Sequence, residues 1–371
     1  MTPSFPILKL PWLALAMVLK ELDIRNLIDL SMMSSKFKKT LELHKVSVKV
    51  FHVTLGAVYT GLSIDENMDI EAYYPMDPME QHQWVLRRIN GENVISQVTN
   101  TASSTWCERL LKAANRTNAA KEQLLESIVK HLLSFLKVQD FQVTCRREMN
   151  FSKMFFWKFT KNLENLEVTP LHHQKITVTP EDLKFLLEDV TKIRLNVCCP
   201  GLKKKYSTPL KHQEFQILNS SWVDFKEISI GPKTTEAYFG NIEKIEESDI
   251  NRLFKDWAEG KNEKLKKLTF RWGAELFTTT NDIQEFEKIK MDKILEGLEI
   301  EKTGFTDSQI ERRDVDYYQR SGLLRVVRCK IDGILGAICA VQKWAELSLM
   351  IWNEKEMQQK DREDEERLEM F

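Results

Sequence analysis

The chain has 371 residues, of which 42% are hydrophobic and 29% charged, and this balance is typical of a globular protein with one large or two to three smaller domains. Its 54 basic and 55 acidic residues leave a formal net charge of −1, so no overall field favours nucleic acid or a lipid surface as a partner. No apolar run approaches the roughly 18 residues that cross a bilayer. We therefore expect a soluble protein that binds neither nucleic acid nor a membrane.

The six cysteines form neither a C-x-x-C pair nor a disulfide framework. Reduced thiols are expected, which favours a cytoplasmic or nuclear location. Acceptor patterns for glycosylation begin at Asn115, Asn150 and Asn219. No secretion signal accompanies them, so we interpret them as chance matches.

The first 45 residues predict three short helices. Pro11 can open the first helix, because the N–H that proline lacks has no partner in a first turn. Asp23 can cap the second. The expected inward residues are Leu15, Val18, Leu19 and Leu22 in the first helix, Leu27 and Leu30 in the second, and Phe37 in the third. A segment of about 40 residues buries too little surface to close a core of its own, so we expect another protein to cover some of these leucines.

Two other interpretations of this stretch remain open. The run from Trp12 to Leu19 could be the hydrophobic part of a signal peptide, although it lacks a basic start and a small-residue cleavage site. It could also be the first core helix of an ordinary helical domain.

Residues 46–118 predict a connecting α+β segment. Apolar alternation from Val46 to Leu55 predicts strands. The segment Tyr73–Pro78 predicts a turn, Trp84–Ile89 a helix, and Asn90-Gly91 a tight turn.

Residues 119–352 predict a body of helix and strand units. A wide apolar face predicts a helix over Ala119–Val138. An apolar-x-x-apolar-x-apolar pattern then recurs, starting at Val138, Leu163, Val190, His212, Phe225 and Leu265. Helical segments precede several copies, most clearly Thr179–Asp189, which opens with a hydroxyl cap, a proline and two carboxylates. This alternation is typical of leucine-rich-repeat-like α/β proteins, so we expect an irregular α/β body with a parallel sheet and one open strand face. An ordinary α+β domain is the alternative.

The C-terminal third predicts a different module. The predicted elements are a helix over Asp282–Leu298 and strands over Leu323–Ile331, Ile334–Val341 and Glu346–Trp352. Asp332-Gly333 suits a two-residue hairpin turn between the first two strands. We expect a small antiparallel hairpin module, followed by a charged tail at residues 353–371.

No motif for catalysis, a cofactor or a metal is present, whether a phosphate-binding glycine loop, a nucleophile elbow or a zinc helix. Neighbours in a strand point to opposite faces, so His172-His173 and Cys198-Cys199 suit a metal poorly. Apolar residues between Gly333 and Gly336 argue against a nucleic-acid clamp. The run Lys203–Lys205 predicts a solvated loop, with an acidic partner as the other interpretation. We predict that the protein is not an enzyme and carries no cofactor or metal.

The N-terminal stretch resembles an F-box. The resemblance lies in Leu10-Pro11, Val18-Leu19, Leu22, Leu27, Leu30, Met33-Ser34 and Phe37. The opening Phe5–Pro11 looks specifically like nematode F-box proteins that carry an F-box associated domain of the second type. Trp12 and Leu13 stand where many other F-boxes have acidic residues. The resemblance implies an F-box over residues 1–45.

The C-terminal part resembles that associated domain. Asp249–Trp257 looks like one of its landmarks, and Ile331–Cys339 with Leu349–Trp352 is similar to its ending. Ala337 stands where a threonine is expected. The resemblance implies a substrate-recognition domain over residues 119–352.

Together these resemblances imply the substrate-recognition subunit of a cullin-RING (SCF-type) ubiquitin ligase. The implied contacts with a Skp-family adaptor, and through it a cullin, are Leu10, Pro11, Leu15, Val18, Leu19, Leu22, Leu27, Leu30 and Phe37. The C-terminal domain would hold an unknown protein client. Strand alternation makes Arg194, Lys226 and Arg271 candidate client contacts. The alternative is a repeat-type interaction scaffold without a ligase, whose N-terminal helices cap the repeats. An enzyme with a pocket of scattered residues is the more distant alternative.

Overall fold

The computed structural model describes residues 9–56, 60–65, 68–72, 84–90, 92–100, 106–111, 117–160, 163–171, 175–188, 190–273, 279–301, 322–328, 334–341 and 345–353. The chain is a mixed α/β protein whose N-terminal helices are followed by mixed sheet. It divides into two compact units, Met1–Leu166 and Glu167–Phe371. The predicted borders at residues 45 and 118 both lie inside the first unit.

The helices and strands have the following bounds. The helices are α1 (Trp12–Glu21), α2 (Ile24–Met33), α3 (Ser35–His44), α4 (Asn118–Leu133), α5 (Pro180–Glu188), α6 (Glu247–Ala258), α7 (Thr280–Glu287) and α8 (Met291–Ile294). The strands are β1 (Val46–Leu55), β2 (Thr60–Ile64), β3 (Met68–Ala72), β4 (Trp84–Ile89), β5 (Glu92–Asn100), β6 (Trp106–Leu111), β7 (Leu136–Cys145), β8 (Leu163–Val168), β9 (Ile176–Thr177), β10 (Val190–Leu195), β11 (Val197–Cys198), β12 (Glu214–Ile217), β13 (Glu236–Phe239), β14 (Lys267–Arg271), β15 (Ile300–Glu301), β16 (Gly322–Arg328), β17 (Ile334–Val341) and β18 (Glu346–Asn353).

In the first unit the strands follow the order β7-β1-β2-β3-β6-β5-β4. The pairs β1 with β7 and β3 with β6 are parallel, and the other neighbours are antiparallel. Alternate residues of β1 point inward, and Phe51 stacks on Phe141 of β7 with ring centroids 5.4 Å apart. Helix α4 packs against β2, β3 and β7 with its wide apolar face. This packing gives the unit its core.

Two predictions in this unit were wrong. Trp84–Ile89 is the strand β4 and not a helix, because its backbone pairs with β5. The helix predicted over Ala119–Val138 ends at Leu133. Its last predicted residues belong to β7, which pairs in register with β1 from Leu136 onward. The predicted turn Tyr73–Pro78 lies outside the described residues.

The second unit contains four neighbouring parallel strands in the order β10-β12-β13-β14, of which β10, β12 and β14 were predicted. Their inner face is aromatic. Phe239 lies between Phe215 and Phe270, with centroid distances of 5.3 Å and 5.7 Å. Phe254 of α6 lies 6.2 Å from Phe270. One helix therefore covers the same side of the sheet on which these rings are buried.

Three predictions in this unit need correction. The pattern copy at Phe225 is not a strand, whereas β13 was missed because only Ala237 and Phe239 point inward from it. The helix predicted over Asp282–Leu298 is two short helices, α7 and α8. The C-terminal strands β16, β17 and β18 pair antiparallel as predicted, but β18 also pairs with β14, so they continue the larger sheet. The predicted turn Asp332-Gly333 lies outside the described residues.

Gly336 of β17 lets α6 approach the sheet. A Cβ at this position would lie 2.5 Å from Cη2 of Trp257 and 2.8 Å from Cδ1 of Leu349. Trp257 is 1% exposed, so its ring has no room to move away. Close packing of the helix on the strand thus explains why glycine stands here.

We expect Gly336→Ala to destabilise the protein by about 1–3 kcal/mol, because the added methyl group overpacks the contact with Trp257. Guanidinium unfolding measures the change. Gly201→Ala is the matched control, since its Cβ would lie 3.5 Å from the nearest atom, an ordinary contact. Equal stability of the two variants would contradict the packing role of Gly336.

Candidate functional site

The three N-terminal helices, here called the head, are set by local signals. The backbone N–H of Leu15 bonds to the carbonyl of Pro11, at the start of α1. The Asp23 side chain accepts the N–H of Arg25 at 2.8 Å and caps α2, as predicted. Ser34 ends α2 and caps α3 by accepting the N–H of Phe37. Each turn between helices is therefore fixed by its own residues.

The nine residues implied as adaptor contacts differ in exposure. Four are buried within the chain, Leu15, Leu19, Leu27 and Phe37. Four are partly exposed, Leu10, Val18, Leu22 and Leu30, and Pro11 is exposed. The buried four stabilise the head from inside and present no surface to a partner. The leucines that another protein was expected to cover therefore do not include Leu15, Leu19 and Leu27.

Other parts of the first unit hold the head in place. Arg87 of β4 forms an ion pair with Asp29 of α2 at 2.7 Å. Lys38 of α3 donates to the side chain of Asn90 at 3.3 Å. Ile28 and Met32 of α2 are buried, at 0% and 1% exposure. The head is an integrated part of this unit.

A buried polar contact links α2 to α4. The Ser31 hydroxyl donates to the carbonyl of Ile28 at 2.6 Å, so its oxygen is left to accept from Nε2–H of His131 at 3.0 Å. Nδ1 of His131 is buried without a hydrogen-bond partner among the described residues. Burial lowers the pKa of His131 to about 4, Lys38 acts in the same direction, and Glu42 opposes both. The imidazole is therefore neutral at pH 7.

The head also carries large apolar side chains that the chain does not cover. Trp12, Leu13 and Met17 of α1 are 56%, 74% and 64% exposed. Leu13 and Met17 are four residues apart and lie on the same side of the helix. Trp12 stacks on His44 of α3, with ring centroids 3.9 Å apart. We call Leu10, Pro11, Leu13 and Met17 the α1 patch.

Sequence reasoning did not include Leu13 or Met17 among the binding residues. A signal was available in the run from Trp12 to Leu19, which is apolar on more sides than one buried face requires. A helix of this kind leaves some apolar side chains exposed once one face is buried. Several large apolar side chains that are exposed together mark an interaction site more often than a single exposed residue does.

The three candidate client contacts occupy different environments. Arg194 lies partly buried on β10. Arg271 on β14 is 6% exposed, so it offers little surface to a client. Lys226 is exposed but lies in a turn and not on a strand, and it forms an ion pair with Glu246 at 3.0 Å. Strand alternation therefore did not identify one common surface.

The described residues contain no group of three or more His, Cys, Asp or Glu side chains placed to hold a metal ion. Cys198 and Cys199 are free thiols, and His172-His173 lies outside the described residues. Within the described chain, no helix has the length and apolar character to cross a membrane. Comparison of the chain with protein-family models, curated proteins and solved structures gave no match.

The stability of the first unit should fall as the pH drops from about 6.5 to about 4. An unfolded chain binds a proton at His131 in this range and the folded chain does not, so protonation favours unfolding. We expect a loss on the order of 2–3 kcal/mol from this group. Guanidinium unfolding of the wild type and of His131→Leu at several pH values measures it as the difference between the two profiles.

Burial also lowers the pKa of His212 in the second unit to about 4. Because the wild type and His131→Leu both contain His212, its contribution to the pH dependence cancels when the two profiles are subtracted. Parallel pH profiles for the two chains would contradict the role of His131.

Proposed function

We propose that the protein is the substrate-recognition subunit of a cullin-RING ubiquitin ligase. In this proposal the head is an F-box that binds a Skp-family adaptor, and the second unit binds a protein client. The subunit forms no bond itself. It raises the effective concentration of client lysines near the ubiquitin-charged enzyme.

The exposure of the α1 patch carries this proposal. The α1 patch combines the Leu10-Pro11 element of the F-box resemblance with Leu13 and Met17, two of the most exposed large apolar side chains described. Burial of such a side chain contributes about 1.5–3 kcal/mol. A few anchors of this kind can dominate the affinity of an interface.

The buried leucines have a different role in the revised site. Leu15, Leu19 and Leu27 hold the helices together and so fix the direction in which Leu13 and Met17 point.

In the same proposal, the parallel strands of the second unit are an irregular leucine-rich-repeat-like array with the character of a type-two F-box associated domain. Their alternation with α5 and α6 supports this interpretation.

A repeat-type scaffold without a ligase is the second candidate function. The integration of the head into the first unit favours it, because the Ser31–His131 and Asp29–Arg87 contacts are what a structural cap would make. An exposed apolar patch has no role in such a cap. Adaptor binding is therefore the observation that separates the two candidates.

We expect removal of residues 1–45 to lower the melting temperature of the first unit. Deletion takes away the partner of the buried His131 side chain and uncovers the surfaces that Ile28 and Met32 occupy. Differential scanning calorimetry of the full chain and of residues 46–371 measures the effect. An unchanged melting transition would mean that the head is a detachable module.

We expect Leu13→Asp with Met17→Asp to abolish co-purification with a Skp-family adaptor, because two carboxylates would be desolvated at the interface. Leu10→Ala with Pro11→Ala should weaken it strongly. Both doubles should melt like the wild type, since these side chains are exposed or partly exposed.

Leu43→Asp is the matched control, because Leu43 of α3 is 71% exposed and lies outside the α1 patch. It should retain the adaptor. Undiminished binding by Leu13→Asp with Met17→Asp would remove the α1 patch from the interface, and a wild-type chain that does not bind any Skp-family adaptor would refute the proposed function.

A further inference from the structure

The Lys203–Lys205 run lies in an anchored loop that borders two neighbouring cavities of the second unit. Tyr206, next to the run, donates its N–H to the carbonyl of Trp222 at 2.8 Å and accepts the N–H of Asp224 at 2.9 Å. Lys205 lines both cavities, and Trp222 and Val223 line one each. The cavities are therefore neighbours, and we call them together the groove.

The first part of the groove is mainly apolar. It has a volume of about 300 Å³, and its walls include Cys198, Pro200, Leu202 and Trp222. The indole N–H of Trp222 donates to the carbonyl of Val197 at 3.2 Å. The Cys198 sulfur accepts from the side-chain amide of Asn219 at 3.2 Å. These bonds fix the walls before any ligand enters.

The second part of the groove is lined by three lysines and three carboxylates. It has a volume of about 170 Å³ and is lined by Lys205, Lys226 and Lys244. Lys226 is paired with Glu246, whereas Lys205 and Lys244 are exposed and form no ion pair within the described residues.

The carboxylates of this second part are engaged by the protein itself. Asp224 accepts the backbone N–H of Lys226 at 3.2 Å. Asp249 accepts the backbone N–H of Glu246 at 3.2 Å, in the cap of α6. Among the described residues, Lys205 and Lys244 are thus the two lysines of this part that have no ion-pair partner, and an acidic ligand can pair with them.

We propose that this groove binds an acidic peptide segment, with an apolar side chain in the first part and carboxylates against Lys205 and Lys244. The segment belongs to a client of the ligase, an identification that rests on the proposed function. The first part is at the small end of the roughly 300–1,000 Å³ typical of small-molecule sites, which suits one or two side chains. Trp222 is 3% exposed and gives no stacking platform for a base, so a nucleotide fits less well.

The experiment uses the full chain without any adaptor, so its outcome is independent of adaptor binding. The probes are fluorescein-labelled peptides in which a leucine lies one, two or three residues from a run of glutamates. Fluorescence anisotropy should detect binding that weakens with salt, as charge pairing requires. Lys205→Glu with Lys244→Glu should weaken it by about tenfold or more, and Leu202→Ser should also weaken it.

The matched control is Lys233→Glu with Lys264→Glu, which makes the same change of charge at two exposed lysines outside the groove. It should bind like the wild type. Peptides with glutamine in place of every glutamate should not bind. Bound peptide should also slow the alkylation of Cys198 by iodoacetamide, read by mass spectrometry, which locates the peptide in the groove.

Four results would overturn the proposal. They are failure of every acidic peptide to bind, equal binding of the glutamine peptides, equal loss in the two lysine doubles, and binding that leaves the alkylation of Cys198 unchanged. Vesicles that contain phosphatidylserine serve as a further arm, and vesicle binding without peptide binding would assign the lysines to a lipid surface instead. If the wild-type chain binds the acidic peptides but no Skp-family adaptor, the proposed function is refuted and the assignment of the groove remains.

Discussion

Burial of one face of the N-terminal helices inside the first unit is the constraint on which the interpretation of this protein depends. Leu15, Leu19, Leu27 and Phe37 are enclosed by the chain, and the Ser31–His131 contact fixes α2 against α4. The burial of these residues determines which face of α1 is exposed. Leu13 and Met17 remain outside because a helix that buries one side must expose the other. The surface that α1 offers to a partner is thus determined by the packing of the helices and not only by their sequence motif.

The second unit is organised by aromatic packing. Phe239 and Phe270 stack in the centre of the parallel strands, and α6 covers them with Phe254. The tight contact of α6 with Gly336 carries this packing to β17, and the pairing of β18 with β14 joins the C-terminal strands to the same sheet. A firm core allows the loops at its margin to hold fixed shapes. The lysine loop beside Trp222 is one of them, and it places Lys205 at the edge of the groove.

Local signals predicted many of the elements. The caps at Asp23 and at Thr179, whose hydroxyl accepts the N–H of Asp182, were found because their signals lie within a few residues, as were the strands β1, β10 and β17. Errors arose where a distant partner decides the outcome. Residues after Leu133 become strand because they pair with β1, and Trp84–Ile89 becomes strand because it pairs with β5. β13 was missed because four residues carry too little periodicity to be recognised.

The sequence by itself determined that the N-terminal stretch forms three short helices and that α1 is rich in apolar residues. It also determined that a run of lysines stands between strands of the second unit. Only the tertiary structure decided that Leu15 and Leu19 lie inside while Leu13 and Met17 lie outside, and that Lys205 and Lys244 line one cavity. The physical reason is that helical periodicity lists which side chains share a face, whereas contact with distant parts of the chain selects the face that is removed from water.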